Sequence, residues 1–381
     1  MKPAGVFVLI DALGWPIIEE ADFLSHLLTH RQPVRTVLGF SSGAIPTILT
    51  GAYPAETGHW NLFYYDPEGS PFRWLRRARC LPDAVLDHRI TRKLLTEAGR
   101  RALGLGDQFE CQVSPRILPY FNFVEKRSIY QPGGIAGARS IFDCLAERRV
   151  AYRVYTYHRG RDAELVERAV ADLRRGAARF YFLYLSELDA FLHAHWGDQP
   201  ALRREMTGYA TGLERLFGAA LAANHETQLA VFSDHGMTPV RHHIDLAREI
   251  EDLGFRMPED LLAVYDSTMA RFWFFRPAAR EAVSNRLKGL SCGRPISDNE
   301  LRDLGVYFPD RRFGELIFLL EPGWLLATSD FHRSGWMPAG MHGYHPSDRR
   351  SDGVFLSNRQ PAWPIEGLAD VYRALRAAAE G

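Results

Sequence analysis

Val6-Phe7-Val8-Leu9-Ile10-Asp11 decides the fold: five apolar residues in a row, ending on a carboxylate. So short and continuous an apolar run suits a strand buried on both faces, as in parallel sheets covered by helices. The pattern returns along the chain. Arg35–Phe40, Tyr152–Tyr157, Phe180–Leu185 and Leu229–Ser233 read as further strands. Ile18–Leu28, Ala163–Arg175, Leu202–Ala223 and Ile365–Ala379 read as helices. The clearest places Leu165, Val166, Ala169, Val170 and Leu173 on one side. The expected fold is α/β, a mostly parallel central sheet with helices on both faces.

Length and composition bound the rest. A chain of 381 residues with 46% hydrophobic content is long enough for one large domain with insertions. Two stretches break the strand–helix alternation, roughly 57–135 and 246–340. They are expected as inserts over the strand ends of a single 1–381 domain, where they would shape a pocket. Lys plus Arg equals Asp plus Glu at 46 each, so no nucleic-acid polymer partner is expected. Cys80, Cys111, Cys144 and Cys292 are widely spaced and read as free thiols. The apolar start is too short for a signal peptide, and no run reaches membrane-span length. The expectation is a cytoplasmic protein with no membrane span; its oligomeric state stays open.

Five places carry residues suited to chemistry. Asp11 ends the first strand, where ligand sites of open α/β sheets gather, although an Asp before Gly14 also suits a plain turn. Ser41 and Ser42 follow Phe40 where a short helix should begin, so a hydroxyl there meets free backbone N–H groups; an N-cap serine is the commoner use. Pro46 is expected in that helix's first turn. Asp189 and His193 lie four apart, on one helical face, with His195 as a nearby alternative. Asp234-His235-Gly236 follows an apolar strand directly, and Gly236 would permit the turn that aims both side chains at one point. His342 lies in a glycine-rich loop, Gly340-Met341-His342-Gly343-Tyr344, where a lone His is usually just solvated. As a set, three carboxylates, three imidazoles and a hydroxyl could form two nitrogen/oxygen metal sites, suited to zinc, with manganese or iron as the other candidates.

This order of residues resembles the alkaline phosphatase superfamily, especially its type I phosphodiesterase and nucleotide pyrophosphatase branch. The match runs from Asp11 through Ser41, Asp189 with His193 and Asp234-His235-Gly236 to His342-Gly343-Tyr344. The stretch Thr50-Gly51-Ala52-Tyr53-Pro54 is similar to that branch's Thr-Gly-x-x-Pro, and counting back nine residues from Thr50 selects Ser41 as nucleophile. The resemblance implies a two-metal hydrolase of small-molecule phosphate esters working through a phosphoryl-serine. One metal would be held by Asp11, Asp234 and His235 beside Ser41, the other by Asp189, His193 and His342.

Two departures stand out. The resemblance implies an Asn three residues after the nucleophile, where this chain has Ala44. The missing donor would have to come from backbone N–H groups, the metals or an arginine such as Arg271, although a structural salt bridge is the commoner role for Arg271. The Ser41-Ser42-Gly43-Ala44-Ile45 stretch lacks the x-Pro-x-Arg that formylglycine sulfatases need. Trp60, Phe63, Tyr64, Tyr65, Phe72 and Trp74 could stack on a leaving group, or form the core of an insert. Phosphomonoester or phosphonate hydrolysis on the same site, and a non-catalytic metal-stabilised binding protein, are the alternatives. A phosphoglycerate mutase is disfavoured because the 57–135 stretch is too short for its inserted domain.

Overall fold

The computed structural model describes residues 2–19, 21–78, 82–105, 109–331 and 336–380. Six strands form the central sheet: β1 (Gly5–Ile10), β2 (His30–Val34), β3 (Tyr152–Tyr155), β4 (Phe180–Leu185), β5 (Gln228–Phe232) and β6 (Gly353–Ser357). They lie in the order β2-β6-β5-β1-β4-β3. β1 runs parallel to β4 and β5, β3 parallel to β4, and β6 is antiparallel to both β5 and β2. The expected α/β architecture with a mostly parallel sheet holds.

Period-two alternation explains why helices cover both faces. Val6, Val8 and Ile10 join Leu183, Leu185 and Val231 on one face, under Leu165 and Ala169 of helix Asp162–Arg174 and Leu213, Leu216 and Phe217 of helix Gln199–Ala223. Phe7 and Leu9 join Phe182, Tyr184 and Phe232 on the other, under Ile45, Ile48 and Leu49 of helix Ser41–Thr50 and Val371 and Leu375 of helix Leu368–Glu380. Each fully buried large apolar side chain contributes roughly 1.5–3 kcal/mol before entropy is subtracted. Among the described residues, no helix is long and apolar enough to cross a membrane.

A second sheet lies in the 246–340 stretch. It is antiparallel, in the order Leu261–Asp266, Met269–Phe274, Leu316–Leu320, Gly293–Pro295. Leu262, Val264 and Trp273 of this sheet share a core with Phe63, Phe72, Phe109, Phe121 and Phe123, so the two irregular stretches pack on each other.

Some expectations fail locally. Arg35–Phe40 is not a strand. Arg35 makes one isolated bridge to Gly367, Thr36 Oγ1 donates to the Asp234 carbonyl, and Gly39 turns the chain at φ 121°. The true strand is the preceding polar His30–Val34, an edge strand that tolerates Pro33. The helix expected over Ile18–Leu28 is Trp15–Glu19 only, and Leu24 at φ 54° is incompatible with its continuation. Pro46 sits inside helix Ser41–Thr50 rather than in its first turn. The missing N–H costs one intrahelical bond, while Thr47 and Thr50 hydroxyls donate to the carbonyls of Gly43 and Pro46. Cys111, Cys144 and Cys292 are buried free thiols, as expected; Cys80 lies outside the described residues.

Candidate metal and phosphoryl-transfer site

Parallel strands deliver the site because their C-terminal ends open on one edge of the sheet. Asp11 follows β1 directly, its N–H bonded to the Leu185 carbonyl at 2.9 Å. Asp234 and His235 follow β5 after Ser233, whose hydroxyl donates to the His235 carbonyl at 2.7 Å and tightens the turn. Gly236 serves this turn by its lack of bulk rather than by a positive φ. A Cβ there would lie 2.1 Å from the Arg350 carbonyl oxygen. Asp189 and His193 occupy one face of helix Glu187–His195, which follows β4. His342 follows the short strand Gly340–Met341.

Asp11, Asp234 and His235 bring ligand atoms within 4.8 Å of one another, and so do Asp189, His235 and His342. His235 Nε2 lies 3.3 Å from Asp11 Oδ1 and 3.4 Å from Asp234 Oδ2. Asp189 reaches His193 Nε2 at 3.3 Å through Oδ2 and His342 Nε2 at 3.6 Å through Oδ1. His235 and His342 stack with ring centroids 3.8 Å apart. His195, by contrast, is exposed and packs on Phe191.

Neighbouring groups fix how these ligands point. His193 Nδ1 lies 2.8 Å from the Gly340 carbonyl and His235 Nδ1 lies 3.0 Å from the Gly236 carbonyl. With Nδ1–H donating to a carbonyl, each ring would offer its Nε2 lone pair to a bound cation. The Tyr184 hydroxyl donates to Asp11 Oδ2 in a short hydrogen bond, leaving Oδ1 free.

The electrostatics call for cations. Burial, then the Asp234 and Asp189 charges, push the Asp11 carboxyl well above the usual range. Burial, then the His235 ring, drive His342 well below its usual value, so it is a neutral imidazole able to bind metal. Burial works against the Asp189 charge, yet its hydrogen bond with His193 holds its carboxyl below the ordinary range. Asp11 Oδ1, Asp189 Oδ1, Asp234 Oδ2 and His342 Nδ1 are buried without a hydrogen-bond partner. Orphaned buried carboxylate oxygens are costly, and a divalent cation satisfies several at once. The donor set fits divalent metal, and the two groups that converge share His235.

The two serines separate cleanly. Ser42 Oγ donates to the Trp60 carbonyl at 2.8 Å and is committed to structure. Ser41 Oγ lies 3.2 Å from His235 Nε2. Ser41 is the first residue of its helix; the Gly43 and Ala44 N–H groups donate to the Phe40 carbonyl, which leaves those of Ser41 and Ser42, with the helix dipole, to favour a phosphoryl oxygen there. A cavity of about 930 Å³ opens on Ser41, Asp189, His193 and His342.

Sequence reasoning missed Asn61. Its side chain lines the same cavity, is 2% exposed, and its amide nitrogen has no hydrogen-bond partner. Trp60 fixes the position: it is fully buried, donates to the Leu38 carbonyl at 2.6 Å, and holds Asn61 beside the serine loop. The only available signal was a polar residue directly after a core aromatic. Asn61 shares the cavity with Ser41 and brings an unpaired amide donor to it, whereas Ala44 is buried in the helix–sheet core.

Arg271 does not supply that donor. It is fully buried, and pairs with Asp266 through Nε and through Nη2 at 3.1 Å. Its Nη1 donates to the carbonyls of Phe63 and Phe313. Burial pushes the Asp266 carboxyl up and the guanidinium pulls it back. Arg271→Met should therefore cost about 3–5 kcal/mol by stranding Asp266, whereas Arg271→Met with Asp266→Leu should recover most of that. Denaturant titration of both variants checks this; equal losses in the single and double variants would contradict it. Of the aromatic residues expected to stack on a leaving group, Trp60, Phe63 and Phe72 are core, and Trp74 is 53% exposed.

Comparison with known proteins places the chain in a family. Residues 6–345 match the family model described as type I phosphodiesterase/nucleotide pyrophosphatase. No curated protein matches by sequence. Among solved structures, murine ectonucleotide pyrophosphatase/phosphodiesterase 5 superposes with a TM-score of 0.67 at 16% identity, covering 99% of this chain and 95% of that one. The human ectonucleotide pyrophosphatase/phosphodiesterase 5 gives a TM-score of 0.69 at 13% identity, covering 99% and 95%. An inactive variant of the murine protein was solved in complex with AMP, and matches at a TM-score of 0.67 and 16% identity over 100% of this chain and 95% of that one.

Proposed function

Because the chain belongs to the type I phosphodiesterase/nucleotide pyrophosphatase family, we propose that this phosphoester hydrolase cleaves a small-molecule phosphodiester, with Ser41 as nucleophile and two divalent cations as cofactors. One cation is assigned to Asp11, Asp234 and His235 beside Ser41, the other to Asp189, His193 and His342. The mixed imidazole and carboxylate donors favour zinc. The observation that carries this reading is Ser41 Oγ, at a helix start and 3.2 Å from His235 Nε2, facing a cluster of orphaned carboxylate oxygens.

When bound, the cations supply Lewis-acid charge that lowers the serine hydroxyl's pKa and offsets charge on the phosphoryl oxygens. Ser41 Oγ forms a bond to phosphorus as the bond to the leaving oxygen breaks opposite it. Water then attacks the phosphoryl-serine in line and Ser41 Oγ departs, regenerating the hydroxyl. Asn61 donates its unpaired amide N–H to a phosphoryl oxygen, alongside N–H groups of the helix start. Tyr184 keeps Asp11 oriented through its short hydrogen bond.

A diester fits better than a monoester. No Lys or Arg lies among the described lining residues to meet a second negative charge. Metal-loaded protein should hydrolyse bis-p-nitrophenyl phosphate at least about tenfold faster, in kcat/KM, than p-nitrophenyl phosphate, and should leave p-nitrophenyl sulfate essentially untouched. A monoester preference would overturn the diester assignment. Asn61→Ala should lower kcat about 10²–10³-fold, the usual loss on removing one donor from a developing oxyanion. An unchanged kcat would remove Asn61 from that role.

A further inference from the structure

The reaction cavity carries a second set of unsatisfied groups on a wall formed by the 57–135 insert. Glu125 lines the cavity and is 9% exposed. No cation or hydrogen-bond donor among the described residues pairs with it, and burial alone pushes its carboxyl up to about 7. Gln112 lines the same cavity, and its Oε1 is buried without a partner. Glu110, exposed, adds a second carboxylate to the lining. Tyr157 feels both acids: burial, then Glu125, raises its hydroxyl to about 12, with Glu110 adding to the effect. Tyr130 is buried beside Glu125 and stacks on Tyr184 with centroids 5.9 Å apart.

A wall of unpaired acceptors is expensive unless a ligand brings donors, and a buried carboxylate also needs compensating charge. Away from the metal-binding residues, the charged side chains among the described lining residues are Glu110 and Glu125, so this wall disfavours further phosphate groups. A primary ammonium brings one positive charge and three N–H donors, enough for Glu125 and Gln112 together, and the tyrosine rings suit its hydrocarbon stem and its charge. We propose that Glu125, Gln112 and Glu110, with the rings of Tyr130 and Tyr157, form a subsite for a primary ammonium group, so that the substrate is an aminoalkyl phosphodiester. This rests on the phosphodiesterase reading above and narrows it to a zwitterionic class of substrate.

The test is a pair of nearly isosteric diesters, p-nitrophenyl 2-aminoethyl phosphate and p-nitrophenyl propyl phosphate, given to the metal-loaded full chain. The aminoethyl ester should be preferred at least about tenfold in kcat/KM. In Glu125→Gln that ratio should fall toward one, and in Glu110→Gln, at an exposed position that folding tolerates, it should fall by a smaller factor. A wild-type ratio near one, or a ratio that persists in both variants, would overturn the subsite. If neither diester is hydrolysed, nor bis-p-nitrophenyl phosphate, the phosphodiesterase reading itself fails. Calorimetric binding of the same diesters to Ser41→Ala protein then still decides the subsite: tighter binding of the aminoethyl ester supports it, and equal binding refutes it.

Discussion

Ser41→Ala should lose at least about 10⁴-fold in kcat on a diester substrate while still binding its metals. The expected loss is large because the hydroxyl is the group that bonds to phosphorus, and no neighbour can replace it. Ser42 carries the next hydroxyl along the chain, but its Oγ is spent on the Trp60 carbonyl at 2.8 Å. Turning it toward the cavity would break that bond at a buried carbonyl. Metal binding should survive because Asp11, Asp234 and His235 already converge without the serine. Turnover assays beside elemental analysis separate the two effects. Near-normal turnover would move the nucleophile away from Ser41, and lost metal would make the serine a required ligand.

Asp234→Ala should remove about one metal ion per chain, with about a 10³-fold or greater loss of activity, because the remaining ion cannot compensate both sides of the reacting phosphoryl group. Asp234 is fully buried with Oδ2 unpaired, and in the proposed site a cation would satisfy that oxygen. The stability consequences have opposite signs in the two states. Without metal, burial, then Asp234 and Asp189, hold the Asp11 pKa above its unfolded value. The stability Asp11 contributes is therefore present below the ordinary carboxylate range and lost as pH rises through its raised pKa. Removing Asp234 relieves that repulsion, so the metal-free variant should melt no lower than metal-free wild type near neutral pH. With metal at 100 times its Kd, wild type gains about 2.7 kcal/mol per site, and the variant should forgo that gain at one site. Melting curves with and without metal, beside metal content, check this. Full metal content in Asp234→Ala would contradict the ligand assignment.

How far the sequence could be read depended on how strongly each residue's surroundings constrain its neighbours. Val6–Ile10 and Phe180–Leu185 were legible because a strand buried on both faces must be apolar throughout. Asp11 and Asp234 stood out because a carboxylate directly after such a strand has few inexpensive uses. His30–Val34 was invisible: it lies on the sheet edge, carries His, Arg, Gln and Pro, and owes its strand conformation to pairing with Gly353–Ser357. Arg35–Phe40 misled for the converse reason, since Val37 and Leu38 are buried by tertiary packing rather than by a sheet.

The site shows the same division. His342 offered no local pattern; its place emerges only when Gly340–Met341 pairs with Thr238–Pro239, just beyond Asp234-His235. Asn61 was hidden because its position depends on Trp60 reaching the Leu38 carbonyl across the fold. Glu125 and Gln112 lie in an insert whose core is built with residues more than a hundred positions away, among them Leu262 and Trp273. The strand-end carboxylates follow from the physical demands of a parallel sheet, whereas the groups that would select the substrate follow from packing between inserts.

The most direct test is the stereochemical course at phosphorus. A chiral phosphorothioate diester is hydrolysed in isotopically labelled water, and the configuration of the product is read. Each in-line displacement inverts phosphorus, so attack by Ser41 followed by attack of water predicts net retention. Net inversion would mean that water attacks directly, and would contradict a phosphoryl-serine at Ser41.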